Sequence, residues 1–76
     1  MDNVTFIGEC VELNNSYIAL EYNDEIFKFY FQNDENISDI NLDEWTKIIG
    51  YLGYFNGLPF SIVLIDQVYQ IKHAVN

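Results

Sequence analysis

Phenylalanine recurs at every second position from Phe27 to Phe31, with Lys28 and Tyr30 between. Successive side chains of an extended chain point to opposite faces. The spacing therefore puts Phe27, Phe29 and Phe31 on one face and Ile26, Lys28, Tyr30 and Gln32 on the other. Three neighbouring phenylalanines in water would invite aggregation, so their face is expected to be core. The chain has to supply a sheet with at least one buried side and something to cover it.

With this strand at 26–32, two more are expected before it over residues 4–13 and 17–22, the three separated by turn clusters at Asn14, Asn15, Ser16 and at Asn23, Asp24, Glu25. The alternation in VTFIGECVEL changes phase near Gly8, which predicts a bulge or bend there. After a polar stretch at 33–41, Asn41 and Glu44 fit a helix start, and Leu42, Trp45, Ile49 and Leu52 fall on one arc at 3.6 residues per turn. Asn56, Gly57 and Pro59 supply a stop, so the pattern predicts a helix over 42–55. Gly50 and Gly53 would each cost it roughly 1 kcal/mol relative to alanine. The remainder reads as a hairpin, strands 60–66 and 67–75 turning near Asp66 and Gln67. The expected architecture is α+β, a βββαββ order with one helix on an antiparallel sheet of about five strands. A small bent β-barrel with one helix is the alternative. At 76 residues the chain is read as one domain, residues 1–76, large enough to bury only about 60% of its unfolded surface.

Catalytic chemistry finds no support. His73 is the sole histidine and has no nucleophile beside it in sequence; the acidic pairs Asp24, Glu25 and Asp34, Glu35 are adjacent turn residues; and arginine is absent. Residues 33–39, NDENISD, offer oxygen ligands but lack the glycine and final glutamate of a calcium loop. Cys10, the only cysteine, excludes an internal disulfide and reads as a small buried apolar residue. Neither a metal nor a cofactor is expected. The amino terminus is acidic where a secretory signal would be basic, and no apolar run reaches the ~20 residues of a membrane span. A cytoplasmic protein, bacterial or from a phage's host cell, is the expectation.

Charge is the most specific feature. Twelve Asp and Glu face three Lys, for a net charge of −9, and residues 21–44 hold eight of the acids against one lysine. Phosphate backbones and anionic membranes need cations that this chain lacks, so a basic protein is the expected partner. Carboxylates on alternate strand positions stand roughly 6 to 7 Å apart, comparable with successive phosphates of a nucleic-acid strand. The candidate contact set is Glu21, Asp24, Glu25, Asp34, Glu35, Asp39, Asp43 and Glu44. Tyr22 and Tyr30, with Tyr51 and Tyr54 on the expected helix, would be aromatic anchors. Small size, acidity and abundant tyrosine resemble the general character of phage-encoded inhibitors such as anti-CRISPR or anti-restriction proteins. That resemblance implies blockade of a nuclease or other nucleic-acid-binding protein. An immunity protein or antitoxin for a basic toxin would use the same physics, and self-association through Tyr51 and Tyr54 would make a structural module or homodimer.

Overall fold

A computed structural model describes residues 3–32, 37, 39–54, 57 and 62–71. It contains five strands: β1 (Asn3–Leu13), β2 (Tyr17–Tyr22), β3 (Glu25–Tyr30), β4 (Trp45–Gly53) and β5 (Ile62–Gln70). They close into one barrel in the order β1, β2, β3, β5, β4, with β4 returning to β1. Every pairing is antiparallel except β3 with β5, which run parallel and meet at Phe29 with Val63 and Tyr30 with Leu64.

The phenylalanine face does turn inward. Phe29 and Phe31 are buried with Ile18, Leu20, Ile48 and Ile65, and the Phe6 ring packs on Phe27 and Phe29 at centroid distances of 4.7 and 5.1 Å. The turns follow their residue types. Asn23 and Asp24 take φ of 52° and 64°, the left-handed pair of a two-residue hairpin that asparagine and aspartate tolerate. At the first turn the Asn14 Oδ1 accepts from the backbone N–H of Ser16 and Tyr17 at 2.8 and 2.9 Å.

The expected helix over 42–55 is not formed, and with it the α+β architecture is overturned. Residues 45–53 are a strand between β1 and β5, and no described residue is helical. Thr46, Ile48 and Gly50 are all buried, a period of two that outweighs the helical arc of Leu42, Trp45, Ile49 and Leu52. Leu42 and Leu52 of that arc are exposed. Nor do Asn41 to Glu44 cap a helix. Asp43, at φ 67°, donates its N–H to the Cys10 carbonyl at 2.8 Å, and Cys10 donates to the Glu44 carbonyl at 2.9 Å, so this segment is tied to β1. The barrel alternative likewise loses its helix.

Two irregularities sit elsewhere than expected. β1 pairs with β4 in unbroken register through Gly8, and its shift against β2 falls at Val11, between Cys10 and Glu12. The hairpin at Asp66 and Gln67 is instead a bulge within one continuous strand: Ile49 faces Gln67 and Gly50 faces Ile65, leaving Asp66 unmatched. The bulge lets two polar residues turn outward without ending the strand. The latter half of the second expected strand, 72–75 with His73, lies outside the described residues.

Candidate functional site

Strand register assembles a site whose members lie far apart in sequence. Glu9 of β1 stands directly opposite Glu21 of β2 on one side and Trp45 of β4 on the other. The hairpin carrying Tyr22, Asn23 and Asp24 completes an open cleft of about 320 Å³ lined by these six residues. Glu9, Glu21 and Trp45 are half-buried. Tyr22 sets its ring edge-on against Phe6, 6.3 Å between centroids and 80° between planes, which anchors the turn to the aromatic core. Among the described residues no lysine pairs with Glu9, Glu21 or Asp24. An indole beside unpaired carboxylates is chemically matched to an ammonium or guanidinium group, through ring quadrupole and charge-assisted hydrogen bonds together.

A second cluster lies at the other end of the β2–β3 hairpin. Tyr17 and Tyr30 face each other with centroids 5.6 Å apart, and the Lys28 Nζ stands 4.7 Å above the Tyr17 ring. The Tyr17 hydroxyl donates to the Glu12 Oε2 at 2.5 Å. That bond is the main cause of a Tyr17 pKa raised above the ordinary phenol value. Lys28, the lone cation of the acidic third, is thus engaged by an aromatic ring.

Of the expected contact residues, Glu21, Asp24 and Tyr22 are brought together in the cleft. Asp43 and Glu44 are tied by backbone to Cys10, the residue after Glu9, so they continue the acidic surface along β1. Glu25 is exposed at the start of β3, and Asp39 is exposed in the connection before β4. Tyr30 belongs to the Tyr17 cluster. The anticipated helical face of Tyr51 and Tyr54 does not exist: the Tyr51 hydroxyl donates to Gln32 Oε1, and Tyr54, just past β4, is 77% exposed. Asp34 and Glu35 lie outside the described residues. Glu9 and Trp45 went unrecognised in the sequence. Assigned to a helix, Trp45 gave no reason to look for a strand neighbour, and only the β1–β4 register reveals one.

Burial raises the Cys10 thiol pKa, a hydrogen bond to the Glu12 carbonyl at 3.7 Å partly offsetting it. The result is an inert core residue. Among the described residues no group of three or more His, Cys, Asp and Glu is placed to hold a metal, and no helix is long and apolar enough to cross a membrane.

No family model matches the chain, and no curated protein matches its sequence. Among solved structures the barrel is similar to a chain from the structure of a replication protein A heterotrimer bound to single-stranded DNA, with a TM-score of 0.65 and 14% identity. The fold is OB-like. The match covers 96% of this chain and 60% of that one, so this chain spans less than two thirds of its neighbour's length.

Proposed function

We propose that this protein is a non-enzymatic interaction module that binds a basic protein through its acidic surface. The partner class is a nuclease or another nucleic-acid-binding effector, blocked by occupation of its cationic groove in the manner of phage-encoded inhibitors. The observation that carries this reading is the cleft of Glu9, Glu21 and Asp24 around Trp45, to which no lysine among the described residues is paired. A basic side chain entering it meets carboxylates already in place. The net charge of −9 extends the attraction beyond the cleft and speeds encounter. An immunity protein or antitoxin would meet a toxin by the same contacts, and its basic partner would be encoded beside it.

A second reading draws on the neighbour, whose structure was solved bound to single-stranded DNA. Tyr17 and Tyr30 form an aromatic pair of the kind on which bases stack, on the face that OB barrels use. Charge weighs against it. Three lysines, one of them held over Tyr17, cannot supply the phosphate neutralisation that such binding needs.

The deciding experiment captures partners from lysate of the source cells on the wild-type protein and on a Glu9→Gln, Glu21→Gln, Asp24→Asn variant, identifying what is retained. A basic nucleic-acid-binding protein held by the wild type, lost from the variant and released by salt is the expected outcome. Retention by both alike would reject the cleft. Fluorescence anisotropy with a labelled oligothymidine tests the second reading, and tight binding at physiological salt would favour it.

A further inference from the structure

The register that sets Glu9 beside Glu21 and Trp45 continues one strand further. Ile26 of β3 stands opposite Glu21, so Ile26, Glu21, Glu9 and Trp45 form a single row across four strands. Leu20, Cys10 and Thr46, the next residues along their strands, are buried, which turns the row to the outer face. Directly opposed residues of antiparallel strands have Cβ atoms roughly 4.5 to 5.5 Å apart. The two carboxylates therefore stand side by side in the middle of the row with an apolar side chain at each end. Ile26 is 59% exposed, and Trp45 is half-buried and lines the cleft. Lys47 lies on the same face two residues beyond Trp45, opposite Ile7, and makes no ion pair with Glu9.

We propose that this row selects arginine, the cleft taking a guanidinium group of the partner in preference to an ammonium. The proposal rests on the basic-partner reading and names the side chain by which that partner docks. Both cations answer the charge of Glu9, Glu21 and Asp24; they differ in shape and in hydration. A guanidinium is flat and carries five N–H donors around its edge, so one group set between two neighbouring carboxylates can donate to both. Its faces are weakly hydrated and stack on aromatic rings, and the row places Trp45 directly beside Glu9. An ammonium is a compact, strongly hydrated point charge, and in a cleft open to water it gives up solvent without gaining a matched edge or a stacked face. Ile26, at the other end of the row, offers apolar contact to the segment that carries the arginine.

Trp45 is the chain's one tryptophan, so the indole Nε1–H resonance reports on this cleft alone. The probes are three capped peptides of glycine and serine that differ only at a central arginine, lysine or citrulline, the last keeping the flat shape without the charge. By NMR, the arginine peptide should shift the indole resonance saturably, with a midpoint at least about threefold below that of the lysine peptide. Citrulline should leave the resonance in place. Glu9→Gln and Glu21→Gln, which relieve a repulsion and so do not threaten the fold, should each weaken the arginine response, whereas Glu12→Gln in the Tyr17 cluster should leave it unchanged. Equal midpoints for arginine and lysine would overturn the selection and leave the basic-partner reading intact. A citrulline response equal to that of arginine would end both, because the cleft would then recognise shape without charge. An equal loss in Glu12→Gln would show that net charge and not the row draws the peptide, and would end the proposal. No response to any peptide up to roughly 50 mM would also end it, whereas the basic-partner reading stands or falls separately on the capture experiment.

Discussion

The Tyr17 hydroxyl is held by the Glu12 carboxylate, and a phenol that donates to an anion gives up its proton less readily. Lys28 over the ring works the other way but is the smaller influence. A group whose pKa is higher folded than unfolded contributes stability that is complete below the unfolded value, here about 10. That contribution is lost as pH rises through the folded value. Unfolding by urea at increasing pH should therefore show stability falling above about pH 10, and the fall should be smaller in Tyr17→Phe. Identical pH dependence in the two proteins would mean the bond does not persist in solution. Cys10 supports a second expectation at this scale. With its side chain buried and its pKa raised, it should resist a thiol reagent in the native protein and react once urea unfolds it. Rapid native labelling would show that the barrel opens near β1.

Gly50 decides between strand and helix by the sign of one substitution. Alanine in a helix interior is worth roughly 1 kcal/mol over glycine, so a helix at 42–55 would gain from Gly50→Ala. In β4 a Cβ at Gly50 would stand 2.3 Å from the Leu64 carbonyl oxygen, a backbone atom that cannot step aside, and 3.0 Å from Val63 Cγ1. The strand expectation is a loss of about 1 to 3 kcal/mol in urea denaturation, and a gain would refute this packing. The same segment shows how much of the fold was legible. The strand at 17–22, most of the strand expected over 26–32, the turn residues Asn23 and Asp24 and the inward phenylalanines all act locally and form where expected, although Glu25 already belongs to β3, β3 ends at Tyr30, and Ala19 is buried beside Ile18 and Leu20 rather than facing away from them. The helix reading failed because WTKIIGYLG satisfies two periods at once, and β4 has partners distant in sequence on both sides. The β-branched Thr46, Ile48 and Ile49 and the two costly glycines were the local signals for a strand. At Asp66 the polar interruption was legible, but a bulge and a turn have similar residues. Only pairing with β4 separates them. The acidic site was legible as charge, and its geometry was not, because Glu9, Glu21 and Trp45 meet only through register.

Across the whole molecule, the proposed binding of a basic partner and the stability of the barrel make opposite demands on the same carboxylates. Glu9 and Glu21 face each other directly on adjacent strands, an arrangement of like charges that destabilises a sheet. Neither has a described lysine to relieve it. Glu21→Gln should therefore raise stability by about 0.2 to 1 kcal/mol, and Glu9→Gln by a similar amount. The two gains should not add, because one neutral side chain already removes the repulsion, so the double variant should be scarcely more stable than either single one. Added salt should stabilise the wild type more than these variants, since the screening length shrinks to ~8 Å at physiological ionic strength. Partner affinity should move the other way and fall with each substitution, because each removes a separate attraction for a cationic group. Denaturation midpoints and partner affinity across this double-mutant cycle test both halves. Additive stability gains would mean that the two carboxylates do not share one site. Unchanged affinity in the double variant would mean that the repulsion exists for some reason other than a basic partner.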